Sequence, residues 1–128
     1  MPPAAPRLII VVEDSLECAE TLQIALESLR GMEVRVVVNG EAALEFIRRN
    51  QPEIAAVITD LQMPRMSGMD LLARLKSAPE LRHIPVLVIS GDSDPRLPAR
   101  SLASGAHAFF PKPYSPFAVR HTLEQLLQ

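Results

Sequence analysis

Tryptophan is absent and tyrosine occurs once, so stacking on the bases of single-stranded nucleic acid is not the expected function. A single cysteine, Cys18, excludes an internal disulfide framework and fits a reducing compartment. No apolar run approaches the ~18 residues needed to cross a bilayer. The opening Met-Pro-Pro-Ala-Ala-Pro-Arg has no charged region followed by an apolar core, so it does not read as a signal peptide. Residues 1–7 are expected to be a flexible lead-in. The net charge of −2 provides no basic field for a polyanion. No His or Cys pair has zinc spacing, and His83, His107 and His121 read as surface or boundary residues. What is present is a globular composition: 128 residues, 48% hydrophobic and 22% charged. That is enough for one domain with one packed core, expected over residues 8–128. Contact with membrane or nucleic acid is not expected, and the expected location is the cytoplasm.

Leu8–Val12 is a continuous β-branched run, as in a strand buried on both faces. Ser15–Arg30 then has helical spacing, with Cys18, Ala19, Leu22, Ala25, Leu26 and Leu29 on one face and Gly31 as the stop. Val34–Val38 is a second strand. A helix over Glu41–Asn50 follows, with Ala42, Ala43, Phe46 and Ile47 expected inward. Ile54–Thr59 is a third strand, closed by Asp60. Ser67-Gly68-Met69-Asp70 resembles a capping box and opens a helix to about Ser77. Ile84–Ile89 is a fourth strand. Asp94–Ser104 is the least regular segment: with a start at Asp94, Pro98 falls too deep for its missing N–H, so the helix is either short from Leu97 or distorted. Ala106–Phe110 is a fifth strand, and Phe117–Leu127 a final amphipathic helix. Five strand–helix alternations with nearly continuous apolar strands predict an α/β fold, a parallel sheet covered on both faces.

The ends of those strands carry the chemistry. Glu13 and Asp14 follow the first, Asp60 the third, Ser90 the fourth and Lys112 the fifth. In a parallel sheet these ends share one edge, where ligands bind in open α/β folds. Singly, each has an ordinary alternative: Asp60 as a turn residue, Glu13 and Asp14 as helix caps, Ser90 as a turn cap, Lys112 as a solvated lysine. Jointly they describe a site. Three like charges raise one another's pKa, and a hard divalent cation such as Mg²⁺, or Mn²⁺, relieves the conflict. A carboxylate beside that cation, a hydroxyl and an ammonium suit phosphoryl chemistry, with Asp60 as nucleophile.

The ordered set Glu13-Asp14, Asp60-x-x-Met63-Pro64-x-Met66-x-Gly68, Ser90-Gly91 and Lys112-Pro113 resembles the receiver domain of two-component response regulators. The resemblance covers essentially Leu8 to Gln128. It implies a flavodoxin-like, doubly wound fold with five helices around a five-stranded sheet of order 2-1-3-4-5. It implies that Asp60 accepts a phosphoryl group from a histidine kinase or histidine phosphotransfer protein. Asp14, Asp60 and the Gln62 backbone carbonyl would ligate Mg²⁺, with Glu13 acting directly or through water. Ser90 and Lys112 would bind phosphoryl oxygens, and the Lys112-Pro113 bond would be cis. Ser90 and Phe109 would form the switch, Phe109 standing where the family often has tyrosine. Gln62 and Asp92 occupy positions that tune the lifetime of the phosphorylated state, although Gln62 also reads as a loop side chain in solvent. The output is expected to be a partner protein or domain, with a phosphorylation-dependent homodimer as one form of it.

Three functions therefore compete. The first is a phosphoacceptor signalling domain without catalytic turnover of its own. The second is a pseudo-receiver that binds partners without phosphorylation, against which all five site residues speak. The third is a haloacid-dehalogenase-like phosphatase, which would want a second Asp two residues after the nucleophile, where Gln62 stands. A flavin carrier is weaker still, since acidic Glu13-Asp14 occupies the place of a phosphate loop.

Overall fold

The computed structural model describes residues 6–128. Residues 1–5 of the expected lead-in lie outside the described residues, and Arg7 already belongs to the first strand. Strand β1 (Arg7–Val12) leads into α1 (Leu16–Leu26), β2 (Met32–Val37) and α2 (Gly40–Arg49). A single 3₁₀ turn (Gln51–Glu53) precedes β3 (Ile54–Asp60) and α3 (Gly68–Ser77). Then come β4 (Val86–Ser90), α4 (Leu97–Ala103), β5 (Ala108–Pro111) and α5 (Pro116–Leu126). The five strands form one parallel sheet in the order β2-β1-β3-β4-β5, a flavodoxin-like topology.

Two apolar layers explain the run-like strand sequences. Alternate residues of β1, β3 and β4 enter opposite layers, because side chains in a strand alternate between faces. Ile10, Val57 and Val88 pack with Ala43, Leu44, Ile47, Leu71, Leu72, Leu75 and Leu97 from α2, α3 and α4. Ile9, Ile58 and Ile89 pack with Leu22, Leu26, Val119 and Leu123 from α1 and α5. The central strand β3 is buried at every position.

Most differences from the sequence reading have local causes. Helix α1 ends at Leu26 rather than Arg30, and a turn carries the chain to Gly31 at φ 77°. Asn39 caps α2 by accepting from Ala42 N–H at 2.8 Å. Ala43, Leu44 and Ile47 face inward and Ala42 is exposed, contrary to expectation. Of the two forms foreseen for the Asp94–Ser104 segment, the short one is found: α4 starts at Leu97 and Pro98 lies in its first turn, where no intrahelical N–H is required. Asp94 supports the approach by accepting from Arg96 N–H at 2.9 Å. Helix α3 carries a full capping box, with Ser67 and Asp70 each accepting the other's backbone N–H at 3.1 and 3.2 Å. The Lys112-Pro113 peptide is cis.

Candidate functional site

Five polar side chains are buried among the described residues: Glu13, Thr59, Asp60, Ser90 and Ser101. All but Ser101 lie within one residue of the carboxyl ends of β1, β3 and β4. Ladder register explains the convergence. Val12 is level with Thr59, Asp60 with Ile89, and Ser90 with Pro111, so consecutive strand ends finish side by side.

A buried carboxylate is costly unless it is paired and hydrogen-bonded. Asp60, only 3% exposed, has a partner for each oxygen. Its Oδ1 accepts from Gln62 N–H at 2.9 Å, and its Oδ2 accepts from Lys112 Nζ at 2.7 Å. Glu13 is equally buried. Its Oε1 accepts from Ser15 N–H at 3.2 Å, and both its oxygens lie 3.4 Å from the same Lys112 ammonium. One cation thus serves two buried carboxylates. Exposed Asp14 adds a third, and one oxygen from each of Glu13, Asp14 and Asp60 falls within 4.8 Å of the others.

The charge imbalance shows in the titration of the cluster. Burial, reinforced by the hydrogen bond to Asp60 and by its charge, pushes Glu13 up to about 7, against the opposing pull of Lys112 and the Ser15 N–H. Burial alone would lower Lys112. The hydrogen bond to Asp60 and the charges of Asp60 and Glu13 outweigh it, and the ammonium is held above its usual range. Three converging carboxylate oxygens, with no nitrogen or sulfur ligand in the cluster, fit a hard divalent cation of the Mg²⁺ or Mn²⁺ kind.

The remaining predicted residues surround this core unevenly. Ser90, fully buried, donates from Oγ to Gln62 Oε1 at 2.8 Å and accepts from Asp92 N–H at 3.1 Å. Gln62 is an exposed loop residue, as one of its readings had it, and its side chain is nonetheless bonded to Ser90. The Asp92 carboxylate turns to its own loop, accepting from Asp94 N–H at 2.9 Å. Phe109 is half-buried and packs against the α2–α3–α4 layer, opposite Val88 in the ladder. The helical phase of Cys18 predicted a core position, which the fold does not give it. It is half-buried and lines a cavity of about 560 Å³ beside Lys112, with Glu17, Thr21 and Tyr114.

Sequence reasoning missed what Gly68 does. A Cβ there would stand 2.2 Å from the Asp60 carbonyl oxygen and 2.7 Å from Leu61 Cα. The first turn of α3 therefore rests on the backbone of the acidic strand end, held by Gly68 N–H donating to Leu61 O at 3.1 Å. The spacing of Gly68 after Asp60 was the available signal, but only packing shows what it is for. Gly40 is a lesser case, since a Cβ there would meet Met66 O at 2.9 Å.

Comparison with known proteins agrees with this geometry. Residues 9–124 match the family described as the response regulator receiver domain. The two-component response regulator ORR11 of rice is 33% identical over 96% of this chain and 82% of its own length. ORR7 of rice is 37% identical, but there the match covers 74% of this chain and only 45% of the relative. The gliding motility regulatory protein of Myxococcus xanthus is 34% identical over 86% of this chain, which is 14% of that protein. Among solved structures, a putative response regulator from Chloroflexus aurantiacus superposes with a TM-score of 0.85 at 28% identity, covering 95% of this chain and 98% of that one. The signal receiver domain of a histidine kinase from Syntrophus aciditrophicus gives 0.83 at 37% identity, covering 94% and 89%. The family match over residues 9–124 and the chain-long similarity, added to the acidic strand ends, place this chain in the response regulator receiver domain family.

Proposed function

We propose that the domain, residues 8–128, accepts a phosphoryl group on Asp60 from a phosphohistidine of a sensor kinase or phosphotransfer protein. The observation that carries this is the buried Asp60 carboxylate, paired with Lys112 at 2.7 Å inside a three-carboxylate cluster on the ligand-binding edge of the sheet. An Asp60 oxygen attacks phosphorus. The new O–P bond forms as the N–P bond breaks, and the imidazole leaves with the electron pair. The Gln62 N–H and the Lys112 ammonium orient the carboxylate before attack. Lys112 then follows the negative charge onto the transferred group, and Ser90 supplies a hydroxyl donor. Glu13, Asp14, Asp60 and the Gln62 carbonyl would hold Mg²⁺ or Mn²⁺. When bound, that ion supplies neutralisation of phosphoryl oxygens during transfer.

Transfer adds about −1.5 to −2 charges at one point. Ser90 moving toward that charge, and Phe109 repacking behind it, make a two-state element that biases a partner-binding face. Phe109 has no hydroxyl, so it reports by packing alone. The domain signals by this change rather than by turnover, in the cytoplasm, to an output protein or domain or through a homodimer. Incubation with Mg²⁺ and acetyl phosphate is expected to add one phosphoryl mass, stable to acid and labile to alkali, absent in Asp60→Asn. No adduct on the wild type would turn the assignment to a pseudo-receiver, and turnover of phosphate esters would turn it to a phosphatase.

A further inference from the structure

We infer that Gln62 is a positioning residue that latches Ser90 in the unphosphorylated domain, competing for the one proton Ser90 has to give. The inference rests on the proposed acceptance of a phosphoryl group at Asp60. A serine hydroxyl has one donor and two acceptor sites. Here the donor is committed to Gln62 Oε1 at 2.8 Å, and one acceptor site is taken by Asp92 N–H at 3.1 Å. Ser90 itself is fully buried, while Gln62 and Asp92 reach it from exposed loop positions.

The geometry ties this latch to the reacting carboxylate. Gln62 holds Asp60 Oδ1 through its backbone N–H at 2.9 Å and holds Ser90 through its side chain. One residue therefore spans the two groups between which a phosphoryl group would lie. For Ser90 to donate to a phosphoryl oxygen, the Gln62 bond must break. A charged oxygen wins that exchange, because hydrogen bonds to ionised acceptors are roughly twice as strong as neutral ones. The neutral bond still biases the resting state. A typical net hydrogen bond corresponds to a factor of about five in the equilibrium.

This role differs in its readout from the positioning of an attacking water. A latch changes how readily the site takes up a phosphoryl-like group, whereas water positioning changes only how fast the acyl phosphate decays. Trifluoroberyllate with Mg²⁺ serves as the probe, because its occupancy of the site is an equilibrium without hydrolysis. Occupancy is followed by ¹⁹F NMR in the wild type, Gln62→Met, Ser90→Ala and the double variant. Gln62→Met removes the acceptor at similar length and is expected to tighten uptake about fivefold. The same substitution on Ser90→Ala is expected to change nothing, since the latched proton is gone. In protein without cation or probe, Gln62→Met is expected to speed hydrogen exchange of the Asp92 amide, whose partner is the Ser90 oxygen.

Uptake by Gln62→Met within twofold of wild type overturns the latch and leaves the proposed function standing. An equal gain in both Ser90 backgrounds also overturns it, because Gln62 would then act without Ser90. Asp92 exchange at the wild-type rate overturns the resting-state contact. Failure of the wild type to take up either trifluoroberyllate or a phosphoryl group overturns the proposed function and the latch together.

Discussion

Replacing Gly68 with alanine forces the first turn of α3 off the strand end that carries Asp60. The added Cβ would lie 2.2 Å from the Asp60 carbonyl oxygen, 2.7 Å from Leu61 Cα and 2.9 Å from the Asp60 carbonyl carbon. All three atoms are backbone, at the end of a strand paired on both sides, so no flexible side chain can yield. Ordinary contact requires a separation about 1 Å greater. Overpacking of this kind costs about 1–3 kcal/mol, and a backbone clash belongs at the upper end. Alanine returns part of that through helix propensity, at most ~1 kcal/mol and less at a first helical position. The expected net loss is about 2 kcal/mol, or roughly 8 °C in Tm for a domain of this size. Gly91→Ala is the internal control, since its Cβ would meet only the Lys112 side chain at 3.8 and 3.9 Å, and it should stay within about 0.5 kcal/mol of wild type. Urea and thermal unfolding by far-UV circular dichroism read both. Misplacing reacting atoms by about 1 Å can cost ~10²-fold in rate, so acetyl phosphate should label Gly68→Ala far more slowly. A Gly68→Ala domain that melts within about 2 °C of wild type and labels at the wild-type rate would refute the reasoning.

Other perturbations follow from single contacts. Ser67→Ala deletes half of the α3 capping box and should cost about 1 kcal/mol in urea unfolding, while Ser115→Ala tests the simple N-cap of α5. Leu72→Ala removes a fully buried side chain from the α2–α3–α4 layer and should cost about 2–5 kcal/mol. His107 accepts from Val86 N–H at 3.3 Å through Nδ1, and burial together with the Lys76 charge lowers its pKa below the usual value. The unfolded chain then binds the proton more readily than the folded one, so stability should fall as pH drops through about 6.5. His107→Asn should flatten that slope in unfolding measured from pH 8 to pH 5. Phe109→Ala should retain labelling of Asp60 but weaken the phosphorylation dependence of partner binding, and undiminished dependence would remove Phe109 from the switch.

Some of this molecule was legible in residue order. Continuous apolar runs marked β1 and β3, since a strand buried on both faces leaves no room for alternation. Parallel topology then required Glu13, Asp60, Ser90 and Lys112 to share one edge, whatever the loops did. Helix phase was less legible. Ala42, expected inward, is exposed, and Leu44 is buried with Ala43 and Ile47, because the packing of α2 on the sheet decides which part of its apolar side is covered. Cys18 lies on the apolar side of α1 in projection, yet at a helix start beside an open cavity that side is only half covered. Residue order allowed two forms of the segment before α4, and Asp94, holding Arg96 N–H and its guanidinium, supports the short one.

By itself the sequence determined the α/β class, the order of acidic strand ends and the chemistry they can support, because periodicity and strand polarity are properties of the chain alone. Tertiary structure decided which atoms meet. It put one ammonium between two buried carboxylates, lifted Glu13 toward neutrality, set Gly68 against the Asp60 backbone and turned the Gln62 amide onto Ser90. These are distances between segments far apart in sequence, and such distances are set by packing, not by any local pattern of residues.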